Sequence, residues 1–128
     1  MTFEEANALL DEVLAFLLSC GGPYVESTAH LETLLMFCLG SGQYVMDRDE
    51  NGIRWFANWI RIGSDDMPGI RVGVYPIDMT TGENIYICDA ASKVGAKDMV
   101  RTLRGINYEK AFWHRGNIEK THGGNHGK

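Results

Sequence analysis

The sequence predicts an α+β domain. Two observations lead there. Two apolar segments with helical spacing come first and end at glycine breaks. A run of short β-type segments joined by turn signals follows, with one further helical segment among them. At 128 residues the chain is the length of one domain with a real core.

The first helix opens at Thr2, a good N-cap, with Glu4 and Glu5 in the first turn. Phe3, Ala6, Leu9, Leu10, Val13, Leu14 and Leu17 set its apolar face, and Gly21-Gly22-Pro23 breaks it. That face can complete a homodimer as readily as a monomer core. Ser27 or Thr28 caps the second helix, which carries Leu31, Leu34, Leu35, Cys38 and Leu39 and stops at Gly40-Ser41-Gly42. His30 falls in its first turn, apart from other ligand types, and reads as an ordinary helix histidine.

Gln43 to Asp47 reads as a strand, and Asn51-Gly52 is the strongest hairpin signal in the chain. Its partner, Ile53 to Ile62, sets Trp55, Ala57 and Trp59 on one face and Phe56, Asn58, Ile60 and Ile62 on the other. A strand apolar on both faces is central, covered on each side. Gly63 to Gly69 reads as a loop, and Ile70 to Tyr75 as a short strand or a connection. Thr80 to Asn84 is a turn signal before the strand Ile85 to Cys88. Lys97 to Gly105 is helical and Tyr108 to Arg115 is a last strand. The domain spans 1–115. Residues 116–128, rich in Gly, His, Lys and Asn, form a polar tail that cannot bury a core. Metal binding by His122 and His126 in that tail is not expected.

Twelve basic residues against 17 acidic ones argue against nucleic-acid binding, which needs a concentrated basic patch. Cys20, Cys38 and Cys88 form no C-x-x-C pair, so neither a zinc site nor a disulfide framework is indicated. They read as small buried hydrophobes in a reducing compartment, and Cys38 has no cation in its neighbourhood to make it a nucleophile. The opening M-T-F-E-E lacks the basic region of a secretory signal, and no apolar run is long enough to cross a bilayer. The expectation is a cytoplasmic protein without a membrane partner. Asp89 stands at a strand end, before a Gly-containing turn into a helix, where α/β and α+β folds often place chemistry. A plain capping role is the alternative for it.

Three stretches together resemble the toxin-activating lysine acyltransferases. These are a branch of the GNAT-like (N-acetyltransferase-like) fold that moves fatty acyl groups from acyl carrier protein to lysines of RTX toxins. The first is Gly42-Gln43-Tyr44-Val45, then Arg48-Asp49 and the strand ending Asn58-Trp59, similar to the family's G-Q-Y segment, charged turn and Ser-Trp strand end. The second is Asp78-x-Thr80-Thr81-Gly82 with Ile87-x-Asp89, similar to D-W-T-S-G and a strand ending I-D. The third is Ala91-Ser92-Lys93-Val94-Gly95, in the place of A-P-F-G. Their order and spacing cover most of Leu9 to Arg115.

The resemblance implies a GNAT-like domain: two N-terminal helices on a mainly antiparallel sheet, with a helix after the central strand. It implies transfer of an acyl group from acyl-CoA or acyl carrier protein to an amine, such as a protein lysine, without a metal. Asp89 matches the family's catalytic aspartate. Lys93, Gly95, Lys97 and Arg101, with Arg104, are the implied contacts to the anionic donor, and Trp59 and Tyr86 the implied substrate contacts. The family's histidine has no counterpart: its place falls near Pro23-Tyr24. A second reading is therefore kept, a non-catalytic GNAT-like interaction or virion-associated module of a bacteriophage, in host cytoplasm or virion.

Overall fold

The computed structural model describes residues 1–24, 28–115 and 118–124. The elements are α1 (Phe3–Cys20), α2 (Ala29–Ser41), β1 (Tyr44–Asp49), β2 (Gly52–Ile62), α3 (Met67–Arg71), β3 (Asn84–Ser92), α4 (Lys97–Arg104), β4 (Lys110–Arg115) and β5 (Ile118–Gly123). The fold is α+β. The strands make one mixed sheet in chain order, β1-β2-β3-β4-β5. All neighbours are antiparallel except β3 and β4, which are parallel. Parallel neighbours need a crossover, and α4 supplies it.

Local signals place the helices. Thr2 and Glu5 close a capping box on α1, and Gly21 ends it at φ +71°. Thr28 caps α2, its hydroxyl accepting from Leu31 N at 3.1 Å, and Gly42 ends the helix in the left-handed conformation. The Ser27 alternative lies outside the described residues.

The central strand holds the core together. Every residue of β2 from Trp55 to Ile60 is buried. Trp55, Ala57 and Trp59 pack with Met99 and Leu103 of α4. Phe56 meets Val13, Phe16, Leu17, Leu35 and Leu39 of α1 and α2, and Ile60 and Ile62 meet Leu34, Cys38 and the α3 residues Met67 and Ile70. The two-faced pattern of the sequence is the observed one. Full burial of each large apolar side chain stabilises by about 1.5–3 kcal/mol. An exposed ion pair such as Arg48–Glu12 contributes about 0–1 kcal/mol. Burial on both faces of β2 therefore decides the fold.

Two of the stretches singled out in the sequence are bonded to each other. Gln43, buried, donates through Nε2 to the carbonyls of Trp59 (3.1 Å) and Met79 (3.0 Å), while Met79 O also accepts from Arg61 N at 2.8 Å. The Asp78 carboxylate holds the turn that follows. It accepts from Thr80 N at 2.8 Å, Thr80 Oγ1 at 2.7 Å and Thr81 Oγ1 at 2.9 Å.

Four local readings differ from the structure. β3 runs Asn84–Ser92, so Asp89 lies inside the strand rather than at its end, because pairing with β2 continues through Ser92. Residues 67–71 are helical rather than loop and strand. Pro68 sits at the helix start, where its fixed φ fits, and Met67 and Ile70, three apart, bury one face. Residues 118–123 of the polar segment form β5, paired with β4 from Arg115↔Ile118 to Lys110↔Gly123. An edge strand is held by backbone hydrogen bonds and needs few apolar side chains. His126 lies outside the described residues. In the first hairpin the loop is Glu50–Asn51, and Gly52 carries the positive φ, +115°, at the head of β2.

Candidate functional site

Two irregularities in β3 build the site. The first is a bulge. Asn58 faces Asp89 and Trp59 faces Ile87, so Cys88 is an extra residue in β3. Bulges re-aim side chains and recur beside active sites. The second is a splay. β3 and β4 pair only at Ile85↔Ala111 and Tyr86↔Phe112. From Ile87 onward, no described strand pairs with that edge of β3.

A cleft of about 1000 Å³ lies in this opening. One wall is β3 from Ile87 to Ser92. The opposite wall is Ala111, Trp113, His114 and Arg115 of β4, with His122 of β5. Met99, Val100, Leu103 and Arg104 of α4 and Tyr108 also line it, and Pro23 and Tyr24 reach it from the stretch just after α1. The lining is thus largely apolar, with a few polar groups, a composition typical of ligand sites.

Asp89 is the one carboxylate among the described residues lining the cleft, and it is only 8% exposed. The Tyr24 hydroxyl donates to its Oδ1 at 3.1 Å. Burial pushes the Asp89 carboxyl above the usual aspartate value. The Tyr24 hydroxyl, the Asn58 amide and the charge of His30 oppose that rise. Burial also pushes the Tyr24 hydroxyl up, reinforced by the charge and hydrogen bond of Asp89 and opposed by the Ala90 N–H. Tyr24 therefore keeps its proton at neutral pH. The pair offers a proton acceptor of moderate strength beside a proton donor.

The remaining candidates are dispersed. Gly95 lines the cleft at φ +88°, in the turn where Ser92 Oγ accepts from Val94 N at 3.2 Å. Lys93 lies outside the lining, its amine 5.6 Å from the Phe16 ring centre. Lys97 and Arg101 are exposed and do not line the cleft, and Arg101 pairs with Asp98 of its own helix at 3.6 Å. Arg104, one turn further along, does line it. Trp59 is core, packed with Met99 and Leu103. Tyr86 faces the other side of the sheet, and its hydroxyl lies 2.8 Å from His114 Nδ1. Burial, ahead of nearby charges, pushes that hydroxyl up to about 12. Cys38 is buried and donates to the Trp59 carbonyl at 3.2 Å, a core thiol.

His30 is exposed, with Nε2 3.2 Å from the Tyr75 hydroxyl. It reaches Asp89 by charge, while its direct side-chain contact is with Tyr75. Sequence reasoning passed over the functional potential of Tyr24, Asn58, Arg115 and His114. Tyr24 had a signal, since it flanks the position where the resemblance puts a histidine. Asn58 had another: it is the lone amide on the inward face of an apolar strand. Arg115 and His114 had none, because only the splay brings the end of β4 to β3. Among the described residues, no helix is long and apolar enough to cross a membrane. No protein-family model matches the sequence, and no curated protein matches it.

Proposed function

We propose that the protein is a GNAT-like acyltransferase, taking an acyl group from a CoA or acyl-carrier-protein thioester to an amine acceptor such as a protein lysine. The observation that carries this reading is the opening between parallel β3 and β4, with the Asp89–Tyr24 pair in its lining. A thioester laid along the edge of β3 beyond Tyr86, which β4 does not pair, meets backbone groups that can polarise its carbonyl. Trp55, Trp59 and Tyr86 are not in its lining, whereas Trp113 of β4 is. Arg104, Arg115 and His122 in the lining suit an anionic donor.

The chemistry balances on two side chains. The acceptor nitrogen attacks the thioester carbonyl carbon, the C–N bond forms and the C–S bond breaks. The proton lost by the nitrogen goes to Asp89. Tyr24 gives its proton to the departing thiolate and is reprotonated by Asp89 across their hydrogen bond. The products are an amide and a thiol. Tyr24 thus stands beside Pro23 in the place of the absent histidine, as a proton donor rather than a base.

Calorimetric titration with acetyl-CoA, longer acyl-CoAs and acyl carrier protein tests the reading. Binding of one of these donors is expected. With that donor, Asp89→Ala should lower transfer by about 10²-fold or more while leaving donor affinity near that of the unaltered protein. Failure of every donor to bind removes the enzyme and leaves the non-catalytic phage interaction module, which the missing histidine favours.

A further inference from the structure

Asn58 is fully buried, and neither its amide nitrogen nor its amide oxygen meets hydrogen-bond geometry with a partner among the described residues, although the amide lies close enough to Asp89 to favour its ionised form. A buried amide without partners lowers stability, and such groups in a folded protein call for a reason. Its neighbours on the same face of β2, Phe56 and Ile60, are apolar, and an apolar residue would pack there without that loss. Asn58 stands directly opposite Asp89 in the β2–β3 ladder. Residues so placed have Cβ atoms about 4.5–5.5 Å apart, within reach of a side-chain rotation. Tyr24 occupies Oδ1 of Asp89.

We propose that Asn58 is a positioning residue for Asp89: its amide N–H seats the second carboxylate oxygen when Asp89 is ionised, so that Tyr24 and Asn58 together fix the direction in which Asp89 faces the cleft. The bulge at Cys88 serves this arrangement. It restores the register so that Asp89 and Asn58 share the face turned to α1 and α2, whereas a regular strand would have turned Asp89 toward α4. The other titratable groups around Asp89 are Tyr24 from the α1–α2 connection, His30 from α2, Tyr75 from the segment after α3, and Tyr86 and Cys88 in β3. Among the described residues, only Tyr24 of these hydrogen-bonds the carboxylate directly. The inference that Asn58 serves catalysis rests on the acyl-transfer reading; its pairing with Asp89 does not.

A carbon-detected NMR titration of the Asp89 carboxyl, with no donor or acceptor present, tests the pairing. Asn58→Leu should raise the proton affinity of Asp89 about tenfold. Asn58→Thr, which keeps a hydroxyl donor and suits a strand, should raise it less. A packing role alone would move the melting temperature and leave the titration where it is. An unmoved titration in Asn58→Leu overturns the proposal; if that variant does not fold, an unmoved titration in Asn58→Ala, which also lacks a donor, does so. When a donor is in hand, the acid limb of kcat/KM should move upward with the carboxyl titration while donor KM stays the same. If no donor binds but the titration moves, the enzyme reading fails and the Asn58–Asp89 pairing remains.

Discussion

Removing the Tyr24 hydroxyl should cost stability in a pH-dependent way. Tyr24→Phe deletes one hydrogen bond, 3.1 Å long, to the buried Asp89 carboxylate and leaves the ring in place. Hydrogen bonds to charged groups contribute about 1.5–3 kcal/mol, and this one is only partly buried, so about 1–2 kcal/mol is expected at neutral pH. The sign follows from Asp89. Burial raises its carboxyl in the folded protein above the unfolded value of 3.8, so the stability it contributes is fully present below 3.8 and is lost as pH rises through the folded value. Tyr24 offsets part of that loss by favouring the ionised form. The variant should therefore match the unaltered protein in acid, fall behind as Asp89 ionises, and reach a constant deficit at neutral pH. Urea unfolding of both proteins across this range measures the difference directly. A deficit of the same size below 3.8 and at neutral pH would show that the hydroxyl does not act through the Asp89 charge.

Gly82→Ala should destabilise by about 2 kcal/mol or more, because Gly82 holds φ +131° and an added Cβ would overlap the Ile62 carbonyl; a fall in the urea midpoint checks this. Arg115→Glu, inside the cleft, should weaken acyl-CoA binding by about tenfold, with a smaller effect at high salt. Arg101→Glu, outside the lining, should leave the calorimetric affinity nearly unchanged; equal losses in both variants would place the donor on the outer face of α4.

The sequence by itself determined the parts whose cause is local. Thr2 and Thr28 as caps, the breaks at Gly21 and Gly42, and the alternation of β2 are short-range effects, and each is found where its residues predicted it. The helix α4 and the first half of β3 belong with them. The segment Met67–Arg71 was ambiguous because five residues carry little periodicity, and β5 was hidden because an edge strand needs backbone pairing more than apolar content. Only the tertiary structure decided the site. The extra residue at Cys88, the parting of β3 from β4 after Tyr86, and the meeting of Tyr24 with Asp89, 65 positions away in the chain, depend on non-local register and packing. The same packing left Lys97 and Arg101 on the outside of α4 and buried Trp59 in the core, because helix rotation and strand facing are set by what each face can bury. Asp89 was legible as a residue of interest because a strand was expected to end there; β3 instead runs on to Ser92, so Asp89 lies within the strand, and what surrounds it was not legible.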